Sequence, residues 1–188
     1  METFAQLFEE TLKDIYYAEK AILKSLPKMA KKATSKKLQT AFTKHHKKTE
    51  KQIDRLDRVF ALIGKRASGK KCPAIEGIIE EAEEVIKEAK DPTIRDAAML
   101  AAAQSVEHYE ISRYGTLVAW AEKMDMADAA ELLRSTLEEE KLTDQNLTAL
   151  AESEINVEAE DTGDEEEGKR CRAPTLTVSW GSWRRPRA

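Results

Sequence analysis

Residues 100–117 read Leu-Ala-Ala-Ala-Gln-Ser-Val-Glu-His-Tyr-Glu-Ile-Ser-Arg-Tyr-Gly-Thr-Leu, and the fold class turns on how they are spaced. Leu100, Ala103, Glu107, Glu110, Tyr114 and Leu117 recur at alternating steps of three and four. Side chains at that spacing share one face of an α-helix, because each residue turns the chain by about 100°. No two-residue alternation competes with it. The stripe is apolar at both ends and carries two carboxylates in its middle. The three consecutive alanines let a neighbouring helix pack close. The periodicity extends outward to a helix from about Thr93 to Lys123.

The same period continues along the chain in both directions. A first helix is expected from about Glu2 to Lys32, with Phe4, Leu7, Phe8, Leu12, Ile15, Ile22, Leu23 and Leu26 on its apolar side and a possible kink at Pro27. Thr34 or Ser35 caps a second helix to about Gly64, a natural C-terminal stop. Lys65–Pro73 is a basic loop containing Gly69 and Cys72. A shorter helix covers about Ala74–Ala89 until Asp91-Pro92 breaks it. After the Asp125–Ala127 break, a last helix runs to about Glu152. Four long helices joined mostly by brief connections predict an all-α, antiparallel four-helix bundle over residues 1–154, with the short helix as part of a crossover. Residues 155–188 change character, acidic from Glu158 to Glu167 and basic from Lys169, with Trp180 and Trp183. They are expected to form a disordered tail.

Composition bounds the function. The chain has 188 residues, 35% of them charged, with few Gly and Pro and a formal net charge of -4. That argues against nucleic acid as a general partner, except through the basic tail. No apolar run approaches the roughly 20 residues of a membrane span, and no basic, apolar leader opens the chain. Two distant cysteines, Cys72 and Cys171, suit a reducing, cytoplasmic setting better than a disulfide framework.

Polar residues interrupt the apolar stripe of every long helix. Glu19 sits four after Ile15 and three before Ile22; His45 sits three after Phe42 and seven after Leu38. Glu107 and Glu110 share the stripe of the third long helix. Leu133, Leu137, Glu140, Asp144, Leu147 and Ala151 line the fourth. Converging carboxylates repel and are costly to bury unpaired, and a pair of di- or trivalent cations resolves this. Carboxylates with one or two imidazoles suit iron or manganese. Glu50, one turn from His46, is a candidate at the edge of the site. The competing reading is that a glutamate beside an apolar stripe snorkels to the rim of the core. Tyr17, Tyr109 and Tyr114 are candidates to hydrogen-bond a carboxylate. No phosphate-binding Gly-rich loop, CxxC or Ser-His-Asp pattern is present.

The string Val106-Glu107-His108-Tyr109-Glu110-Ile111, followed by Tyr114-Gly115-Thr116-Leu117, resembles the YciF/YciE-like proteins of the ferritin-like superfamily. So do Tyr17-Ala18-Glu19-Lys20, Leu26-Pro27-Lys28-Met29-Ala30, His45 with Thr49, Cys72 with Glu76-Gly77-Ile78-Ile79, and Thr136-Leu137-Glu138-Glu139-Glu140 with Asp144. The resemblance covers roughly Phe4–Ala151. It implies a ferritin-like bundle, a homodimer, and a cytoplasmic bacterial protein linked to stress. Relatives in the superfamily hold a di-iron or di-manganese centre with one Glu on the first and third helices and Glu-x-x-His on the second and fourth. By that resemblance Glu107 and Glu140 would bridge two metals, with Glu19, Glu110, His45 and Asp144 terminal. The chain departs from the pattern where Lys47 precedes Glu50 by three and where Thr143 follows Glu140 by three. The expected function is handling of peroxide, oxygen or iron; the alternative is a structural or interaction dimer with a degenerate site.

Overall fold

A computed structural model describes residues 1–160; the expected tail begins later than residue 155, because 155–160 are helical with Ile155 buried against the bundle, and the rest of it, Cys171 and both of its tryptophans included, lies outside the described residues. The helices are α1 (Phe4–Lys32), α2 (Lys36–Leu62), α3 (Pro73–Glu88), α4 (Pro92–Lys123) and α5 (Ala127–Leu150). A single wide π-type turn, Ala151–Ile155, follows α5, and the chain stays helical to Glu160. Among the described residues there is no strand.

Local chemistry explains the boundaries. Thr3 and Gln6 form a reciprocal capping box at the start of α1. Ser35 accepts the Leu38 amide at the start of α2, and Asp91, with Pro92 behind it, caps α4. α1 passes through Pro27 without ending. Gly64, at φ 67°, closes α2: the Lys65 amide reaches the Phe60 carbonyl and the Gly64 amide reaches that of Ala61. The same left-handed closure ends α4, but with Asp125 at φ 57° in place of glycine.

Around the bundle the neighbours run α1, α2, α5, α4 and back to α1. Each adjacent pair is antiparallel. Lys48, Gln52 and Arg55 of α2 meet Thr143, Glu139–Glu140 and Thr136 of α5 in descending order. Phe4 stacks edge-on with Trp120, Glu19 meets Tyr114, and the Thr34 amide beyond α1 reaches Asp96, so α1 and α4 also oppose. α2 and α4 therefore point the same way, and the chain must return along the bundle between them. α3 makes that return, packed on α4 and α1. Its approach is pinned where a Cβ on Gly69 would lie 3.2 Å from the Tyr17 backbone, and where Tyr17 donates to Glu76 at 2.5 Å.

The core is apolar toward both ends: Phe8, Leu12, Phe60, Leu133 and Ala121 at one, Leu26, Leu38, Met99 and Leu147 at the other. The middle is where the buried polar groups collect. No helix is long and apolar enough to cross a membrane among the described residues.

Candidate metal centre

Four long helices each bring a polar side chain to one level of the bundle. α1 supplies Glu19, α2 supplies His45, Thr49 and Gln52, α4 supplies Glu107 and Glu110, and α5 supplies Glu140; all are buried. Donor atoms of His45, Glu107, Glu110 and Glu140 all lie within 4.8 Å of one another. Glu19 adjoins this group, held by a hydrogen bond from the buried Tyr114 hydroxyl. His45 Nδ1 stands 3.0 Å from Glu107 Oε1 without hydrogen-bond alignment.

These groups do not satisfy one another. Both oxygens of Glu107 and of Glu110, one each of Glu19 and Glu140, Nε2 of His45, Oγ1 of Thr49 and Oε1 of Gln52 have no hydrogen-bond partner among the described residues. Native interiors rarely leave a buried polar atom unpaired, so this concentration at one level calls for an explanation. Cations supply one. They accept many oxygen donors at once, and the set of one imidazole with four carboxylates suits iron or manganese. The residues present therefore fit a metal.

Electrostatics agree. Burial, reinforced by the charge of Glu140, pushes Glu19 up to about 8. Burial and the nearby Asp144 raise Glu107 to about 8, although closeness to Glu140 works the other way. Burial and Glu107 raise Glu140 to about 8, and burial with three neighbouring carboxylates lifts Glu110 well above its ordinary range. His45 shifts down, chiefly through burial, which favours the neutral imidazole a metal requires.

Of the residues singled out in the sequence, Glu19, His45, Glu107, Glu110 and Glu140 converge. Glu50 lies exposed on the outer face of α2, because its position there is rotated away from the His45–Gln52 line. Asp144 sits half-buried at the rim, 3.2 Å from the exposed His108 Nε2. Tyr17 and Tyr109 face α3, where Tyr109 meets the buried Cys72 at 3.1 Å.

Gln52 was not among the sequence candidates. Ile53 is half-buried and Gln52 fully buried. The signal was available, since Gln52 lies seven after His45, three after Thr49 and four before Leu56. Its amide donates to Glu140 and, at 3.2 Å, to Glu139. Arg55 in turn clamps Glu139 through both terminal nitrogens. The Glu140 carboxylate is thus oriented from α2.

The model of a family described as a domain of unknown function, DUF892, matches residues 3–160. Protein YciF of Escherichia coli (strain K12) is 46% identical over 161 residues, which are 85% of this chain and 97% of that protein. The crystal structure of the E. coli stress protein YciF aligns with a TM-score of 0.79, covering 83% of this chain and 99% of that one. YcfI from Rhodopseudomonas palustris, put forward as a structural protein, aligns at 0.77 with 49% identity over 78% of this chain and 94% of that one. A protein from Xanthomonas campestris pv. campestris shares the fold at 17% identity and a TM-score of 0.68.

Proposed function

This chain belongs to the DUF892 family, and from that premise and the buried donor set we propose that it is a stress-associated, ferritin-like metal protein. Its core would hold a dinuclear iron or manganese centre that handles peroxide, oxygen or iron. One observation carries the reading: imidazole and carboxylate donors from three helices lie within 4.8 Å of one another, and both oxygens of Glu107 and Glu110 and one of Glu140 find no hydrogen-bond partner among the described residues. His45, Glu107, Glu110 and Glu140 would hold the metal, and Glu19 would extend the site from α1. Charge supports two ions, because four ionised carboxylates are balanced by two divalent cations. Glu107 and Glu140, which adjoin each other from α4 and α5, would both hold the metal.

Iron or manganese bound there supplies Lewis acidity and a one-electron couple. The chain's own residues do the rest. Gln52 fixes one oxygen of Glu140, and Tyr114 fixes one oxygen of Glu19, so each carboxylate presents its other oxygen inward. The raised carboxyls must lose their protons on loading, so binding releases protons and strengthens as pH rises. Asp144 at the rim would serve as an outer group rather than a direct ligand. We further propose a cytoplasmic homodimer, which light scattering of the purified protein would test.

The expected outcome of metal analysis, after reconstitution with Fe(II) or Mn(II), is about two ions per chain, and below about half an ion per chain the reading fails. A structural dimer with a degenerate site is the second reading. It is favoured by the description of YcfI and by the missing Glu-x-x-His pattern on α2 and α5. It predicts that Glu107→Ala combined with Glu140→Ala leaves assembly intact and that added metal leaves the melting temperature unchanged.

A further inference from the structure

A groove of about 550 Å³ lies between α2 and α5, running from Lys36 and Leu150 near one end of the bundle to His45 and Thr143 near its middle. Its floor is apolar, made by Ala41, Phe42, Ala103, Leu147 and Leu150. Its rim carries Lys36, Lys37, Lys44 and Lys48, and among the described residues no carboxylate lines it. Glu154 engages Lys37 at the outer end, and Lys48 reaches Thr143 Oγ1 at 3.2 Å at the inner end. The inner end is closed by His45, 6% exposed, whose Nε2 has no partner.

We propose that this groove binds a straight-chain acyl carboxylate. The carboxylate sits between Lys44 and Lys48 beside His45, and the hydrocarbon lies along Phe42, Leu147 and Leu150. The volume is in the range of small-molecule sites, about 300–1,000 Å³. The two surfaces of the groove select the class together. A simple oxyanion would use the lysines and leave the floor wet, whereas a neutral alkane would cover the floor and leave the lysines without a counter-charge. An amphipathic anion satisfies both. Among the described residues, Lys37 alone of the four is in an ion pair, with Glu154, so an anion entering the groove meets an excess of positive charge. The proposal goes beyond the metal reading and does not depend on it.

The test is calorimetric titration of the metal-free, full-length protein with decanoate, and in parallel with decanol, acetate and inorganic phosphate. Decanoate is expected to saturate one site per chain at least about tenfold more tightly than any of the other three. Lys44→Glu and Lys48→Met each weaken decanoate about tenfold or more, and Thr40→Trp, a surface change that fills the groove, abolishes it. Circular dichroism checks that each variant retains its helices. Decanol binding as tightly as decanoate would reduce the groove to an apolar patch. Phosphate binding equally well would reduce it to a lysine cluster, and undiminished affinity in both lysine variants would place the ligand elsewhere. Each of these overturns the proposal. Because the protein carries no metal in these titrations, a failed metal analysis leaves their result intact.

Discussion

Glu110 shows what one residue reveals when its surroundings do not satisfy it. Its carboxyl is fully buried, and neither oxygen has a partner. In metal-free protein Glu110→Leu should therefore stabilise the fold by about 1–3 kcal/mol, by removing an unsatisfied buried group, while abolishing any rise in melting temperature on adding Fe(II) or Mn(II). Thermal melts with and without metal check both halves. The pH dependence follows from Glu19, Glu107 and Glu140, each raised from 4.5 to about 8. Between those values the folded, metal-free protein holds more protons than the unfolded chain, so its stability falls as pH rises across the window. Below about pH 4.5 the penalty is absent, and above about 8 it is complete. Metal-loaded protein should show the opposite slope, because protons then compete with the ion. Scanning fluorimetry from about pH 5 to 9, with and without metal, reads the two signs.

Among the elements, α2 and α4 end by the same geometry with different residues. Gly64 adopts its positive φ freely, whereas Asp125 carries a Cβ into the left-handed region. Asp125→Gly should raise stability by about 0.5–1 kcal/mol, a net of relieved strain against the greater freedom of glycine in the unfolded chain; denaturant titration measures it. Element boundaries up to the start of α5 were legible to within a few residues, because caps and breakers are local chemistry, whereas the last helix, expected to end near Glu152, continues through the wide turn to Glu160. Which side of a helix faces inward was less legible. Phe4 was read into an apolar face yet is 41% exposed, because it stands in the first turn of α1, where little of the bundle covers it. The wide turn at Ala151–Ile155 was not foreseen, since it depends on burying both Ala151 and Ile155 against the bundle.

For the whole molecule, the bundle was readable because its pattern is repeated four times, and an error in one stripe does not change the answer. The convergence of Glu19, His45, Glu107, Glu110 and Glu140 was readable for a related reason: each interrupts an apolar line near its helix's midpoint. Register across helices was not readable, so Gln52 was passed over and Glu50, one turn from a histidine, was admitted. If the centre binds metal, occupancy at about a hundred times the dissociation constant should stabilise the domain by about 2.7 kcal/mol, visible as a shifted denaturant midpoint, and chelator should reverse it. One long-range contact bears on how the molecule comes to exist at all. The amides of Thr34 and Ser35, in the turn joining α1 to α2, are received by the buried carboxylate of Asp96, 62 and 61 residues further on. A nascent polypeptide leaving the ribosome has both amides in hand long before it has their acceptor. The opening hairpin must wait, its corner unfastened, until the segment that carries Asp96 has emerged.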